Sequence, residues 1–226
     1  MKGDEYIMKE ILKWKNGKMN TRFFLPDTVN IFTDASVDST NGMACLALAI
    51  VYTDIDGIDR VITRPSTKMT GIPYSFEGEW LALMNGIFSY LKYIKENNSL
   101  MPTHINAFTD SLSVVQAVRK RRRDFIGMDM DAYKPSTLLD STTVMCKVNG
   151  ISIYHVKGHL KKIKDIRKKF SQHNGIGISK YDAFQLLKYN NFVDVDANVH
   201  LRSDIENIRI QDVNDIQVID EHGNNE

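Results

Sequence analysis

Four carboxylic acids and one histidine occupy positions from which their side chains could do chemistry together. Asp34 closes the apolar run VNIFTD, and Asp110 closes a second run of the same kind, INAFTD. Glu79 lies in the amphipathic stretch EGEWLALMNGI, His159 ends HVKGH, and Asp194 lies in NNFVDVDAN. Two of the acids end strand-like runs and two lie in helix-like segments, so residues distant in sequence can converge on one small site.

A cluster of acids of this kind indicates a site for divalent cations. Carboxylates that are held together repel each other and lose hydration unless cations fill the site. Hard oxygen ligands favour Mg²⁺ or Mn²⁺. Two such ions, about 3.5–4 Å apart, can position a water for in-line attack on a phosphodiester and stabilise the leaving oxygen. The acids therefore predict metal-assisted phosphoryl chemistry without a covalent enzyme intermediate.

The elements that must position these residues follow from hydrophobic periodicity. Apolar runs predict strands at 28–34, 43–53, 105–109 and 151–156, and a turn signal at Asp56-Gly57 predicts a further strand in RVITRPST. Helical periodicity appears from Ser75, after Ser111 as a cap, at 136–148, at 181–189 and at about 191–201. Hairpin-linked strands are antiparallel and helix-linked strands are parallel. We therefore expect an α/β fold with a five-stranded mixed sheet and helices on both faces.

The order Asp, Glu, Asp, His, Asp, together with the strings TDAS, TDS and VKGH, resembles the type 1 ribonuclease H family. The resemblance covers residues 28–202, with a helical insertion before the last helix. It implies a ribonuclease H-like fold and hydrolysis of the RNA strand of RNA·DNA hybrids, giving 5′-phosphate and 3′-hydroxyl ends with two Mg²⁺ or Mn²⁺ ions per site. In the family's scheme Asp34 would bridge both ions, Glu79 and Asp110 would serve one, and Asp194 the other.

Two of the acids compete with a neighbour for their place in the site. Glu77 and Glu79 flank the apolar stripe of their helix at similar angles, so periodicity leaves that choice open. The family pattern of a Glu followed by an apolar helix matches EWLA and favours Glu79. Asp194 lies nearer than Asp196 to the apolar face of the last helix, and the family spacing N-x-x-x-D-x-x-A also selects it. Asp182 is a more distant alternative.

His159 is the candidate for proton transfer. It follows a predicted strand and Gly158, where a loop could carry it to the site. A group that titrates near neutrality suits proton transfer to the leaving group or product release. VKGH is also the most specific single match to the family. His155 lies four residues earlier, but a strand does not place both histidines on one helix face, so the pair does not predict zinc.

Substrate contacts are predicted from polar and basic residues near these motifs. The paired asparagines that often precede the family's Glu are missing here, and Asn41 could replace part of their contact with sugar groups. The basic run RKRRR (119–123) occupies about the place of the family's basic protrusion, and the long segment between His159 and Asp194 opens with LKKIKDIRKK. The predicted nucleic-acid contacts are Asn41, Ser111, Arg119, Arg121, Arg122, Lys157, Lys161 and Lys162.

Composition bounds the remaining classes. The 226 residues are 42% hydrophobic and 25% charged, as in an ordinary globular domain. The net charge of +1 argues neither for nor against binding to nucleic acid. Charge is nevertheless uneven along the chain. We expect a basic N-terminal extension (1–27), the ribonuclease H-like domain (28–202, with its insertion at about 160–189) and an acidic tail (203–226). Two cysteines without metal-binding spacing, and no apolar stretch suited to a membrane span or signal peptide, favour a cytoplasmic protein without a membrane partner.

Two other functions remain open from the sequence. The first is a different nuclease of the same fold that acts on DNA, such as a junction resolvase or a transposase-like enzyme, because Asp194-Val195-Asp196 offers an extra acid. A 3′–5′ exonuclease would normally show Asp-x-Glu on the first strand, where this chain has Asp34-Ala35-Ser36. The second is a catalytically silent nucleic-acid-binding module, against which the intact set of acids argues.

Overall fold

The computed structural model describes residues 22–53, 59–63, 66–97, 102–128 and 133–202. These residues form six strands and five helices, whose order is β1 (Thr28–Asp38), β2 (Met43–Thr53), β3 (Asp59–Thr63), β4 (Thr67–Thr70), α1 (Ser75–Glu96), β5 (His104–Thr109), α2 (Leu112–Asp124), α3 (Leu138–Val148), β6 (Ile151–His155), α4 (Ile163–Asn174) and α5 (Lys180–Arg202). The Asp56-Gly57 turn, the acidic tail and most of the basic extension lie outside the described residues.

The strands form one mixed sheet in the order β3-β2-β1-β5-β6, and β4 also pairs with β2. β1 is antiparallel to β2 and parallel to β5, which is in turn parallel to β6. β3 and β4 pair with opposite ends of β2, both antiparallel. The predicted mixed sheet is confirmed, with one strand more than the expected five because the region of RVITRPST contributes to two short strands.

The central strands contribute to cores on both faces of the sheet because their side chains alternate between the two faces. Phe32 of β1 and Phe108 of β5 pack with Phe170 of α4 and with α5 on one face. Their neighbours Ile31 and Ala107 pack on the other face, against α1, α2 and α3. The expected placement of helices on both faces is therefore confirmed.

The segment before β1 belongs to the first of these cores. Phe23 and Phe24 are buried there, and their main-chain N–H groups donate to Oδ1 of Asp182, at 3.0 and 3.3 Å. Ser179 caps α5, because its hydroxyl accepts a hydrogen bond from the N–H of Asp182 and donates to the Asp182 carboxylate. The domain boundary at residue 28 stays a prediction, and this packing favours an earlier start.

The last helix is longer than the periodicity indicated. α5 runs unbroken from Lys180 to Arg202, so the stretch 181–189 is its first half and not a separate helix. Asn190, where a break was expected, is buried, and tertiary packing outweighs the weak helix propensity of asparagine. None of the helices in the described part of the chain is long and apolar enough to span a membrane.

Strand β6 forms an edge of the sheet, and side chains cover its outward carbonyl groups. The oxygens of Ile151 and Ile153 accept hydrogen bonds from Arg122 (3.2 Å) and Arg119 (2.9 Å) of α2. At the end of the strand, the amide of Asn174 from α4 donates to the carbonyl oxygen of His155. Uncovered edges can pair with other chains, so these contacts protect the sheet as well as holding α2 and α4 to it.

Candidate metal centre

The register of two parallel strands brings the first two acids together. Phe32 of β1 lies opposite Phe108 of β5, and Asp34 and Asp110 each follow two residues later in the same direction. Glu79, in the second turn of α1, reaches the same place from one face of the sheet. One carboxylate oxygen from each of these three acids lies within 4.8 Å of the other two. Asp110 follows the carboxyl end of β5, a place where ligand sites of α/β sheets commonly form. Asp34 lies inside β1, which continues to Asp38 and not only to residue 34 as the apolar run predicted.

Two glycines allow the close approaches that this site needs. A Cβ atom at Gly86 of α1 would lie 2.4 Å from Cγ2 of Thr33, so only glycine lets the helix lie this close to β1. A Cβ atom at Gly158 would lie 2.4 Å from Oδ2 of Asp110. The glycine of VKGH therefore leaves room for a carboxylate oxygen of the site.

Burial and mutual repulsion raise the pKa of all three clustered acids. Asp34 and Glu79 are only 7% and 6% exposed. Burial first, and then the charges of Asp110 and Asp194, raise the pKa of Asp34 to about 7. Burial and the charge of Asp34 raise the pKa of Glu79 well above its usual value, and burial and Asp194 raise that of Asp110. The charged forms of these groups are thus unfavourable until a cation joins them.

Asp194 and His159 border this cluster. Oδ2 of Asp194 lies 3.2 Å from Nδ1 of His159, whose side chain is 75% exposed. Asn198, one helical turn further along α5, donates from Nδ2 to Oδ1 of Asp194 at 2.9 Å. The charge of Asp194 acts on Asp34 and Asp110, although Asp194 is outside the group of three within 4.8 Å. It therefore lies at the rim of the site and not at its centre.

The competing acids lie elsewhere. Glu77 is exposed to solvent, whereas Glu79 is buried in the cluster. Asp196 is buried against Ser66 and lies 3.2 Å from Nδ1 of His200, which directs it away from the site. Asp182, in the first turn of α5, accepts hydrogen bonds from the N–H groups of Phe23 and Phe24. The geometry thus favours Glu79 and Asp194, the residues that the family pattern selected.

The predicted substrate contacts on loops are accessible. Lys157, Lys161 and Lys162 are exposed, and the charge of Lys157 acts on Asp110 to lower its pKa. Asn41 is exposed in the β1–β2 turn, where its Nδ2 donates to Asp38 at 2.6 Å. Ser111 precedes α2 as predicted, but its hydroxyl interacts with Ser113 and does not cap the helix.

The three arginines predicted to bind nucleic acid are occupied within the domain. Arg119 and Arg122 cover the edge of the sheet, and Arg119 also donates to Oδ1 of Asn174 at 2.7 Å. Nε of Arg121 lies 2.6 Å from Oδ1 of Asp140 on α3. Their contact with substrate stays a prediction, and the structure gives each of them a partner in the fold. Lys120 and Arg123 of the same run are exposed.

Sequence reasoning missed the contacts that two histidines make beside the site. Nε2 of His155 lies 2.8 Å from the main-chain oxygen of Asp110, and its Nδ1 lies 2.7 Å from Nδ1 of His173 in α4. Burial lowers the pKa of His155 to about 4. The string HVKGH contained His155, but only the docking of α4 onto β6 reveals its partner.

Comparison with known proteins gives similarity at the level of structure. No family model and no curated protein matches this sequence. The native protease–reverse transcriptase of prototype foamy virus has a TM-score of 0.48 and 17% identity over 81% of this chain, which spans 22% of the viral chain. LC11-RNase H1, isolated from compost by a metagenomic approach, has a TM-score of 0.43 and 13% identity, with 77% of this chain and 99% of that one covered.

A third solved structure is LC9-RNase H1, described as a type 1 RNase H with the type 2 active-site motif. It has a TM-score of 0.41 and 12% identity, with 68% of this chain and 79% of that chain covered. At such identities the likeness concerns the fold alone.

Proposed function

We propose that this protein is a metal-dependent endonuclease that hydrolyses the RNA strand of RNA·DNA hybrids and leaves 5′-phosphate ends. The observation that supports this most is the cluster of the buried Asp34 and Glu79 with the half-buried Asp110, all with a raised pKa. A fold gains nothing from burying three like charges together, whereas a site for divalent cations requires them.

The donor set fits Mg²⁺ or Mn²⁺, because it consists of carboxylate oxygens. Asp34, Glu79, Asp110 and Asp194 would hold two such ions, which supply Lewis acidity and charge neutralisation for hydrolysis of a phosphodiester. Asp34 would be the ligand shared by both ions, as the resemblance implies, and it lies near enough to Asp110 and Asp194 for both charges to raise its pKa. The hydroxyl of Thr109 donates to Oε2 of Glu79 at 3.3 Å and helps to orient it.

His159 would transfer protons at the rim. Its Nδ1 lies 3.2 Å from Asp194, which can orient the ring through a hydrogen bond, and its high exposure gives substrate and water access to Nε2. In this role His159 would give a proton to the leaving oxygen and so speed turnover. It would not activate the attacking water.

The substrate would lie along the basic surface next to His159. Lys157, Lys161 and Lys162 are exposed there, and the surface continues on α4 with the exposed lysines Lys164, Lys168 and Lys169. These charges would attract the phosphates of a nucleic acid whose scissile group enters the acidic site. Asn41, Ser111 and the arginines of α2 remain further proposed contacts.

One cleavage assay tests the proposal. Labelled RNA·DNA hybrid, duplex DNA, duplex RNA and a four-way junction are each incubated with the protein and Mg²⁺, Mn²⁺ or chelator. We expect metal-dependent cutting of the RNA strand of the hybrid. Cutting of the junction or duplex DNA with the hybrid intact would instead identify a DNA nuclease of this fold. Binding without any cutting would identify a silent module.

A further inference from the structure

The two ligands on the central strands differ in how their main chain is held. Asp34 lies inside β1, opposite Ala47 of β2, so the strand ladder fixes its peptide groups. Asp110 follows the last residue of β5, and the pairing of β5 with β6 ends at Thr109 opposite His155. The carbonyl of Asp110 is therefore beyond the ladder, and some other group must hold it.

The side chain of His155 provides that support. Its Nε2 lies 2.8 Å from the Asp110 oxygen, and because a carbonyl oxygen only accepts, Nε2 must carry the hydrogen. In the neutral ring Nδ1 is then an acceptor. The 2.7 Å contact between the two Nδ1 atoms requires His173 to donate from its own Nδ1. The tautomers of both rings are thus set by the carbonyl of a metal ligand.

The end of α4 holds His155 in turn. The N–H of His155 donates to Oδ1 of Asn174 at 2.9 Å, and Nδ2 of Asn174 donates to the carbonyl oxygen of His155 at 2.8 Å. Arg119 ties the same place to α2, donating to Oδ1 of Asn174 and to the carbonyl oxygen of His173. A continuous set of hydrogen bonds therefore runs from the C-terminus of α4 to the main chain of Asp110.

We propose that His155 and His173 are positioning residues, through which helix α4 fixes the main chain of Asp110 and thereby the geometry of the metal centre. This inference rests on the proposed function. The segment between β6 and α5 would then help to assemble the metal centre, in addition to any contact that its lysines make with substrate. Loss of a group that orients a metal ligand commonly lowers metal affinity by roughly 10–100-fold.

Two matched pairs of variants test the role. In His155→Gln the amide nitrogen takes the place of Nε2 and can still donate to Asp110, whereas in His155→Asn it takes the place of Nδ1 and cannot. In His173→Asn the amide nitrogen keeps the donor at the Nδ1 position, and His173→Ala removes it. His200→Gln, at a buried histidine on α5 that lies beside Asp196, is the control for general loss of packing.

The measurements are Mn²⁺ affinity by calorimetry, kcat and KM on the hybrid, and the ¹³C shift of the Asp110 carbonyl, which reports the hydrogen bond it accepts. We expect His155→Asn and His173→Ala to weaken Mn²⁺ binding by roughly 10-fold or more and to lower kcat with KM almost unchanged. His155→Gln and His173→Asn should stay within about threefold of wild type. The ¹³C shift should move in His155→Asn and stay in His155→Gln.

Two negative results have separate meanings. A wild-type protein that binds no Mn²⁺ would overturn the proposed function and this role with it. If wild type binds Mn²⁺ and His155→Asn binds it equally well, only the positioning role falls. Equal losses of Mn²⁺ affinity in His155→Asn, His155→Gln and His200→Gln would also overturn it, because they would show a loss of packing and not of one hydrogen bond.

Discussion

Two buried carboxylates, on different parts of the fold, behave in opposite ways. Asp140 on α3 accepts hydrogen bonds from Nε of Arg121 (2.6 Å), the hydroxyl of Tyr133 (3.0 Å) and Ser136 (3.2 Å), and its pKa is lowered chiefly by Arg121. Asp34 has other acids as neighbours, and burial raises its pKa to about 7. The chain thus supplies a cation to Asp140 and none to Asp34, as expected if the site of Asp34 binds an ion from solution.

The largest expected difference between the regions of Asp34 and Asp140 is in the rate of hybrid cleavage. Asp34→Asn removes a central ligand and should lower the rate of hybrid cleavage by at least about 10³-fold, since metal stabilisation of the transition state amounts to several kcal/mol. Asp140→Asn should leave the activity per folded molecule unchanged. Both rates are measured on hybrid at saturating Mg²⁺. An Asp34→Asn protein with more than a tenth of wild-type activity would contradict this assignment of the site.

His159→Ala should have a smaller effect within the same region. The ring helps proton transfer but binds no proposed ion, so kcat should fall by about 10–100-fold and some cleavage should remain. Mn²⁺ affinity, measured by calorimetry, should be unchanged, in contrast to Asp34→Asn. Complete loss of activity, or loss of Mn²⁺ binding, would place His159 among the metal ligands and not at the rim.

The dependence of the free energy of unfolding on pH should show that the charge of Asp34 has no cation to balance it. The pKa of Asp34 is raised from 3.8 to about 7, so between these values the folded state holds a proton that the unfolded state has lost. In chelator, the free energy of unfolding should therefore fall as pH rises from about 4 to about 7, by about 2–4 kcal/mol from this group.

Urea unfolding at pH 5 and pH 8 measures this change. Added Mg²⁺ should restore stability at pH 8, where the acids are charged, and do little at pH 5. Asp34→Asn should be more stable than wild type in chelator at pH 8 and should respond less to Mg²⁺. A wild-type protein that is equally stable at both pH values without metal would show that the acids are not in contact.

The smallest effect is expected where the carboxylate already has its cation. Arg121→Gln should lower the melting temperature by roughly 5 °C at pH 7, because it leaves the buried Asp140 without its main partner. The lowered pKa of Asp140 stabilises the fold above about pH 4, so the difference from wild type should shrink as pH falls below that value. Differential scanning calorimetry at pH 7 and pH 3 tests both statements.

The same variant tests the predicted contact of Arg121 with nucleic acid. Lys120→Gln, at an exposed position on the same helix, is the matched comparison. The ion pair predicts that Arg121→Gln loses stability with little change in hybrid affinity, whereas Lys120→Gln keeps its stability. A greater loss of hybrid affinity in Arg121→Gln than in Lys120→Gln would favour the substrate contact inferred from the sequence.

The sequence predicted well whatever depends on local periodicity. The apolar runs ending in Asp34 and Asp110 gave the strands, and the helix-linked connection gave the parallel pairing that brings these acids together. The amphipathic stripe gave α1, although periodicity alone left Glu77 and Glu79 open. Burial of Glu79 separates them only in the folded protein.

What the sequence did not predict depends on contacts between distant elements. The contact of RKRRR with substrate stays a prediction, but the sequence did not show that the carbonyls of β6 and the carboxylate of Asp140 engage three of its arginines. The unbroken α5 and the pair of His155 and His173 likewise depend on packing that no short stretch encodes. Charge runs and isolated histidines are therefore the features for which sequence reasoning needs the fold.

The contact between the start of α5 and the segment before β1 has a practical consequence for anyone shortening this chain. Asp182, in the first turn of the helix, accepts hydrogen bonds from the main chain of Phe23 and Phe24. The same helix carries Asp194 twelve residues further on, about 18 Å away. A truncation that starts at the first strand would remove two aromatic rings and leave a carboxylate without its amide donors. Protein for crystallisation or assay should therefore keep residue 22 and those after it, or the helix that delivers Asp194 will lose its anchor.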